Sequence, residues 1–347
     1  MVRHQTLKSK DEMKEFILRR VPRHLYHSTA YYRDPGNRIM KLKRWLGAEL
    51  VFDLDADHIP GSEENSYSET LRTVKEHTIR LVFRFLLDDM GFSEDEISIF
   101  FSGGRGYHVH VLSDKVYTLG SDSRREISNY IRGEGLLERS IIYELKRPGG
   151  TDSGWYRVVD SHFTQLYRDI IRGDQDSLEF LQGCLKNAGT VRAFINSLKR
   201  AVVSGNFRVK KESLFTKKGQ EKYSMLDARD EAILMCVVKS VVGEYASEID
   251  EPVTTDVHRL IRFPGSLHGK TGLMVKNIGI HELKDFDPLT EAVPEQFKDG
   301  QVSIVGLRDF EFELMGSPFR IRKNEALEVP VFASLFAVGQ RGAKFMQ

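Results

Sequence analysis

Two aspartates one residue apart close an apolar run, Leu50-Val51-Phe52-Asp53-Leu54-Asp55. The alternation predicts a strand whose side chains switch faces at every step. Leu50, Phe52 and Leu54 then share one face, and Val51, Asp53 and Asp55 the other. Carboxylates at i and i+2 on one face lie roughly 6–7 Å apart at the backbone, a spacing that can bridge two divalent cations ~3.5–4 Å apart. Hard oxygen donors suit Mg²⁺ or Mn²⁺ rather than zinc. A strand that simply turns at Asp55-Ala56-Asp57 would show the same three letters, so the chemistry depends on what else reaches this face.

A second block, Phe100-Phe101-Ser102-Gly103-Gly104-Arg105-Gly106-Tyr107-His108-Val109-His110-Val111, sets glycines between two apolar strands. Glycines let backbone N–H groups approach an anion closely, and Ser102, Arg105 and His108 add side-chain donors. That makes a cradle for a triphosphate, against the alternative of a hairpin turn with a solvated arginine. The block lacks the Lys-Ser/Thr ending of a P-loop and the spacing of a dinucleotide fingerprint. His108 and His110 share a strand face. Without a third nitrogen or sulfur ligand nearby, one of them reads as a hydrogen-bonded, partly buried histidine.

The third block runs from Ile249 to Gly272. Gly265 to Thr271 is one residue short of a P-loop and follows a proline, so that motif is rejected. Asp250 and Asp256 compete for a metal role. Thr255 suits the N-cap of a short helix from Asp256 to Ile261, which gives Asp256 a local role in the first turn. Asp250 has none, and is the better third ligand. Arg262, His268 and Lys270 then become phosphate donors, while Arg259 fits a structural ion pair equally well.

The elements that must position these blocks are readable in outline. Ser9 and Glu12 form a capping box ahead of a helix to about Arg20. His24 to Tyr32 reads as a strand, and Asp34-Pro35-Gly36-Asn37 as a turn. A long amphipathic helix is expected from Glu69 to Met90, capped by Gly91. Ile97–Ser102 and His108–Leu112 are strands, Ser121–Val242 is mostly helical, and short strands and a helix after Pro330 finish the chain.

Composition sets the limits. The chain has 347 residues, 51 Lys+Arg against 50 Asp+Glu, and 40% hydrophobic residues, as expected of a globular protein of about two domains. Near-zero net charge means that any nucleic-acid surface is local. No apolar run approaches the ~18 residues of a membrane span, and no signal peptide opens the sequence, so a cytoplasmic protein is expected. Two cysteines, Cys184 and Cys236, make neither a disulfide framework nor a zinc site.

In this order, the three blocks resemble the catalytic small subunit of archaeal and eukaryotic DNA primases, most closely the archaeal form. Asp53-Leu54-Asp55 matches the first motif, and Ser102 to His108 the second. Asp250, Arg262 to His268 and Lys270-Thr271-Gly272 match the third. The resemblance runs from about Val21 to Val293. It implies a nucleotidyltransferase that makes short primers on single-stranded DNA. Asp53, Asp55 and Asp250 would hold two divalent metals, Mg²⁺ or Mn²⁺, and Ser102, Arg105, His108, Arg262 and His268 would meet the nucleoside triphosphate.

The fold implied is α/β (α+β): a primase core with an RRM-like half and a mostly helical insertion. Residues 1–118 and 236–320 would be the core, 119–235 the insertion and 321–347 a C-terminal tail. The partner implied is the primase large subunit, whose iron–sulfur cluster this chain lacks the cysteines to bind. Between Asp55 and Ser102 stand only His58 and His77, so the zinc site of many archaeal members is not expected. Members usually carry a segment upstream of the dipeptide matched by Arg3-His4, and its nucleotide contacts are not expected here.

Two other readings share the motifs: a primase-like polymerase for repair or gap filling, and a non-catalytic nucleic-acid-binding scaffold. Lys199, Arg200, Arg208, Lys210, Lys211, Lys217, Lys218 and Lys222, interleaved with Phe207 and Phe215, form a stretch able to track a template backbone or simply face water.

Overall fold

Ser9 accepts a hydrogen bond from the Glu12 N–H and starts helix α1 (Lys10–Arg20), which stops where Val21 turns left-handed. A computed structural model of the chain describes residues 2–59, 66–135, 141, 154–185, 187–203, 207–209, 214–216 and 228–346. The stretch expected as one strand is two, β1 (Tyr26–Ser28) and β2 (Ala30–Tyr32), broken at Thr29. β2 pairs with β3 (Trp45–Ala48) across the expected turn, in which the Asn37 N–H reaches the Asp34 carbonyl at 3.2 Å. β4 (Leu50–Asp55) follows directly. Leu50, Phe52 and Leu54 are fully buried, whereas Asp53 and Asp55 stay partly open.

A reciprocal Ser66–Glu69 box starts α2 (Tyr67–Ile79). Beyond Ile79 the helix continues to Asp89 in the wider i→i+5 winding of a π-helix, and Gly91 at φ 65° ends it. Leu71, Val74, Leu81, Val82, Phe85 and Leu86 are buried on its apolar stripe, and α2 lies against the central sheet. That sheet contains β5 (Ile97–Phe101) and β6 (Gly106–Val111), which form a hairpin, and β6 pairs in turn with β4.

Helix α3 (Ser121–Arg132) leads to the boundary of two compact units, residues 1–131 with 247–347, and residues 132–246. Sequence alone puts these boundaries near 118 and 236. The second unit contains α4 (Gly154–Arg172), α5 (Gln175–Leu185), α6 (Ala188–Val203), the hairpin β7 (Phe207–Val209) and β8 (Leu214–Thr216), and α7 (Ala228–Tyr245). Its own core includes Trp155, Phe163, Tyr167, Leu181, Ile233 and Leu234. Of the basic stretch, Lys199 and Arg200 are exposed on α6, and the other side chains lie outside the described residues.

The chain re-enters the first unit at Ser247, whose N–H bonds the Ile131 carbonyl at 3.2 Å. A five-residue helix, α8 (Glu251–Thr255), comes next. It stands five residues before the predicted helix at 256–261, because Pro252 occupies a first-turn position, where its missing N–H costs nothing. Asp256 therefore ends a helix instead of starting one. Leu260 and Ile261, expected in that helix, instead begin β9 (Leu260–Arg262), paired antiparallel with β1.

β10 (Lys276–Ile278) completes an antiparallel sheet of order β10-β5-β6-β4. After α9 (Pro288–Glu291) come β11 (Gln301–Gly306), the hairpin β12 (Phe310–Leu314) and β13 (Ser317–Ile321), β14 (Ala326–Pro330), α10 (Val331–Gly339) and β15 (Ala343–Phe345). Ile304, Ile321, Val329, Ala333, Ala337 and Ala343 form one buried cluster. Residues 321–346, read from sequence as a tail, are thus built into the core of the first unit.

Candidate active site

Antiparallel register sets His108 opposite Asp53 and Gly106 opposite Asp55. His108 Nε2 stands 3.7 Å from Asp53 Oδ1, with the two side chains 7% and 21% exposed. α8 lies against β4, and Val253 packs with Val51 and Ile261. Alternation puts Val51, Asp53 and Asp55 on one face, so the helix covers the start of the face whose far end carries the aspartates. The Asp250 N–H donates to the Asp53 carbonyl at 2.9 Å, which brings the third block onto the first strand.

The charges make the juxtaposition chemically pointed. Burial raises the Asp53 carboxyl to about 7, and the neighbouring charges of Asp55 and Asp250 push the same way, against Arg259 and Arg262. Asp256 is engaged locally: its Oδ1 accepts the His258 N–H at 2.9 Å. Among the described residues no three His, Cys, Asp or Glu side chains close into a ligand cage, so Asp53, Asp55 and Asp250 neighbour one another without gathering round a point. All-oxygen donors crowded against their own charge still suit a hard divalent cation, which relieves that repulsion only when it sits among them.

The second block is pressed onto the third. Gly103 has φ 76°, and a Cβ there would meet His268 Cβ at 2.8 Å and the Leu273 carbonyl at 2.9 Å. At Gly106 a Cβ would run into the Leu54 carbonyl, so only glycine lets β6 start beside Asp55. Ser102 Oγ accepts the Gly104 N–H at 3.2 Å, and Tyr67 donates its hydroxyl proton to the Gly104 carbonyl at 2.6 Å. Arg105 is ion-paired with Asp57 and half-exposed.

A cationic cluster acts on the same neighbourhood. Burial, then the charges of Arg262, Lys270 and His24, lowers His268 to about 4. His24 is lowered by burial and by Arg262, Arg23 and Lys270. Burial lowers His108 to about 3, helped by His110, Arg262, His27 and Arg259, which leaves its imidazole neutral. Three buried donors or acceptors here, His108 Nδ1, Arg259 Nε and Arg262 Nη1, have no hydrogen-bond partner among the described residues. Buried polar atoms are seldom left so, and three in one place suit an anionic ligand.

The sequence-predicted residues thus fall into groups. Asp53, Asp55 and Asp250 come together, and Arg262, His268 and Lys270 share one electrostatic neighbourhood. Ser102 shapes its own loop, and Arg105 is engaged by Asp57. His110 is held by Glu49 at 2.6 Å, and Glu49 also accepts from Tyr31 at 2.9 Å. Sequence reasoning missed His24 and Tyr67, since neither lies in a motif. It also gave Arg259 no firm role, although its charge acts on both Asp53 and His108. A separate cavity of about 690 Å³, lined by Ile17, Val21, Leu25, Phe263, Leu335 and Val338 among others, touches this site at His268.

In this antiparallel α+β unit, acids on one strand of the central sheet meet cations brought in by β9 and the loop that follows it, a donor set suited to divalent ions and phosphates. Comparison with known proteins narrows the class. A family described as the DNA primase small subunit matches residues 52–280. The chain is 41% identical over 347 residues to the "DNA primase small subunit PriS" of Picrophilus torridus, covering 100% of this chain and 89% of that one. It is 36% identical over 358 residues to the protein of the same name from Thermoplasma volcanium, covering 100% and 87%. For the Methanosarcina acetivorans protein of that name the identity is 35% over 371 residues, covering 99% and 87%. The chain belongs to the DNA primase small subunit family.

Proposed function

We propose that this chain builds primers on single-stranded DNA by metal-assisted nucleotidyl transfer, with Asp53, Asp55 and Asp250 holding Mg²⁺ or Mn²⁺. Primer synthesis by a nucleotidyltransferase comes with the family. The assignment of these residues rests on one observation: Asp250 is bonded through its backbone to Asp53, whose carboxyl feels the like charges of Asp55 and Asp250 and the opposite charges of Arg259 and Arg262. Divalent ions, when bound, lower the barrier to in-line attack by neutralising charge on the attacking and leaving oxygens.

The chain's own side chains do the rest. Arg262, His268 and Lys270 receive the phosphates, and the guanidinium of Arg262 orients them through its planar set of donors. Neutral His108 offers a ring N–H to a phosphate oxygen without carrying a charge of its own. Gly103 and Gly104 bring the backbone close, and Ser102 adds a hydroxyl. Arg105, released from Asp57, supplies a further cation at the mouth. The relatives are named as small subunits, and the partner proposed is the corresponding large subunit, the pair acting in the cytoplasm. No described helix is long and apolar enough to cross a membrane.

The test incubates the chain with single-stranded DNA, labelled nucleotides and Mn²⁺ or Mg²⁺, with and without the large subunit. Dinucleotide products without any supplied primer are expected. Extension of supplied 3′-ends alone would favour the gap-filling reading, and no product under any condition would leave a binding scaffold.

A further inference from the structure

The turn between β2 and β3 has its polarity reversed. Lys43 is 5% exposed, its ammonium bonded to the Pro35 carbonyl and 5.1 Å above the Tyr32 ring. Ile39, Met40 and Leu42 are 59%, 43% and 54% exposed, and Leu46 at 51% follows on β3. A lysine has gone inside while three aliphatic side chains within four positions stand in water. One exposed leucine needs no explanation, but a cluster of this kind does.

Nor is the turn loosely held. The Ile39 N–H reaches Asn37 Oδ1 at 2.9 Å, and the Leu42 N–H reaches the Ile39 carbonyl at 3.0 Å. Arg33 and Asp34 N–H groups bond the Arg44 and Lys43 carbonyls at 3.0 Å each. Trp45 Nε1 donates to the Val257 carbonyl at 3.1 Å. The aliphatic side chains therefore project from a fixed backbone, which lowers the ordering cost of binding.

We propose that this turn is the docking surface for the primase large subunit, met through an apolar ridge flanked by acidic side chains. The identity of the occupant rests on the reading given under the proposed function. Charge selects its chemistry. From Pro35 to Leu46 there are four cations and no carboxylate. Arg44 is paired with Asp34 and Lys43 is buried, whereas Arg38 and Lys41 are exposed and unpaired among the described residues. An apolar centre with a basic rim matches an apolar, acid-rimmed protein face. Aliphatic side chains offer bases no aromatic platform, which disfavours single-stranded DNA as the occupant.

The test titrates the whole chain with its large subunit, comparing wild type with Met40→Glu/Leu42→Glu. Each protein alone is also assayed for DNA binding and for extension of a supplied 3′-end with Mn²⁺. The double variant should bind the large subunit at least ~100-fold more weakly, with its melting temperature and unaided extension unchanged. Arg38→Glu/Lys41→Glu should weaken binding about tenfold, chiefly at low salt. Leu112→Glu, at a position 51% exposed elsewhere on this unit, should bind as wild type. Unchanged affinity in Met40→Glu/Leu42→Glu overturns the proposal, as does loss of DNA binding with the large subunit still bound, which would make the turn a nucleic-acid surface. A wild-type chain that binds the large subunit through this turn but extends nothing keeps the docking surface and removes the polymerase reading instead.

Discussion

The backbone N–H of Asp250 meets the carbonyl of Asp53 at 2.9 Å. That one bond joins residues almost two hundred positions apart and seats the third acidic side chain beside the strand carrying the other two. It also makes the local backbone, and not side-chain reach alone, responsible for the grouping of the acids.

Asp53→Asn and Asp250→Asn should each lower nucleotide incorporation by at least ~100-fold, whereas Asp256→Asn should cost less than about threefold. Steady-state incorporation with Mn²⁺ in excess reads the difference. If the Asp256 variant proved the more damaged, Asp250 would lose its place in the site.

Charge crowding gives a second readout, independent of activity. In EDTA, Asp53→Asn should melt at or above the wild-type temperature, since it removes a buried charge set against two others. Adding Mn²⁺ should raise the wild-type melting temperature and leave that of the variant nearly unmoved. Equal shifts in both proteins would separate the ion from Asp53.

Arg262→Lys should raise the KM for nucleotides roughly tenfold with a smaller change in kcat, because an ammonium cannot replace planar, paired donors to a phosphate. An unaltered KM would relegate Arg262, whose guanidinium lies 5.3 Å over the Tyr26 ring, to packing.

Acid should loosen the first unit through His77. Its Nδ1 accepts the Glu248 N–H at 3.0 Å, and burial with help from Arg80 lowers its pKa from 6.5 to about 4. The native form is neutral, so between about pH 6.5 and 4 the unfolded chain binds a proton that the folded chain refuses, and stability falls as pH falls. His77→Gln should flatten the melting temperature across that window, by an amount equivalent to about 1–2 kcal/mol. A wild-type curve level from pH 7 to 4 would contradict this.

Two glycines should behave oppositely to their backbone angles. Gly91 has φ 65° but open space around it, so Gly91→Ala should cost only about 1 kcal/mol. Gly106 carries no such angle, yet Gly106→Ala should cost about 3 kcal/mol or more, since the methyl meets the Leu54 carbonyl. Denaturant titrations of the two variants give the comparison.

What could be read from the sequence was whatever repeats locally. The alternation of Leu50 to Asp55, the Ser9 and Gly91 caps and the turn at Asp34 all emerged where the letters put them. Contacts between distant segments leave no period. Nothing near Thr29 announces that its N–H bonds the Arg259 carbonyl, or that one expected strand breaks there to serve two partners. Pro252 was ambiguous for a different reason: the same ring stops a helix from within and starts one at its first turn. In the site, Asp250 could be preferred over Asp256 by elimination. The groups that act on His268 could not be assembled without the fold, because His24 comes from the other end of the chain.

Ile131 and Ser247, bonded to each other, are the points at which the polypeptide departs from the first unit and returns. Departure and return at one spot make everything between them a closed excursion. Such an excursion can lengthen, shrink or be traded for a different one over evolutionary time while the first unit keeps its fold. By the same token, a short turn spliced across that pair is the natural route to a minimal version of the enzyme.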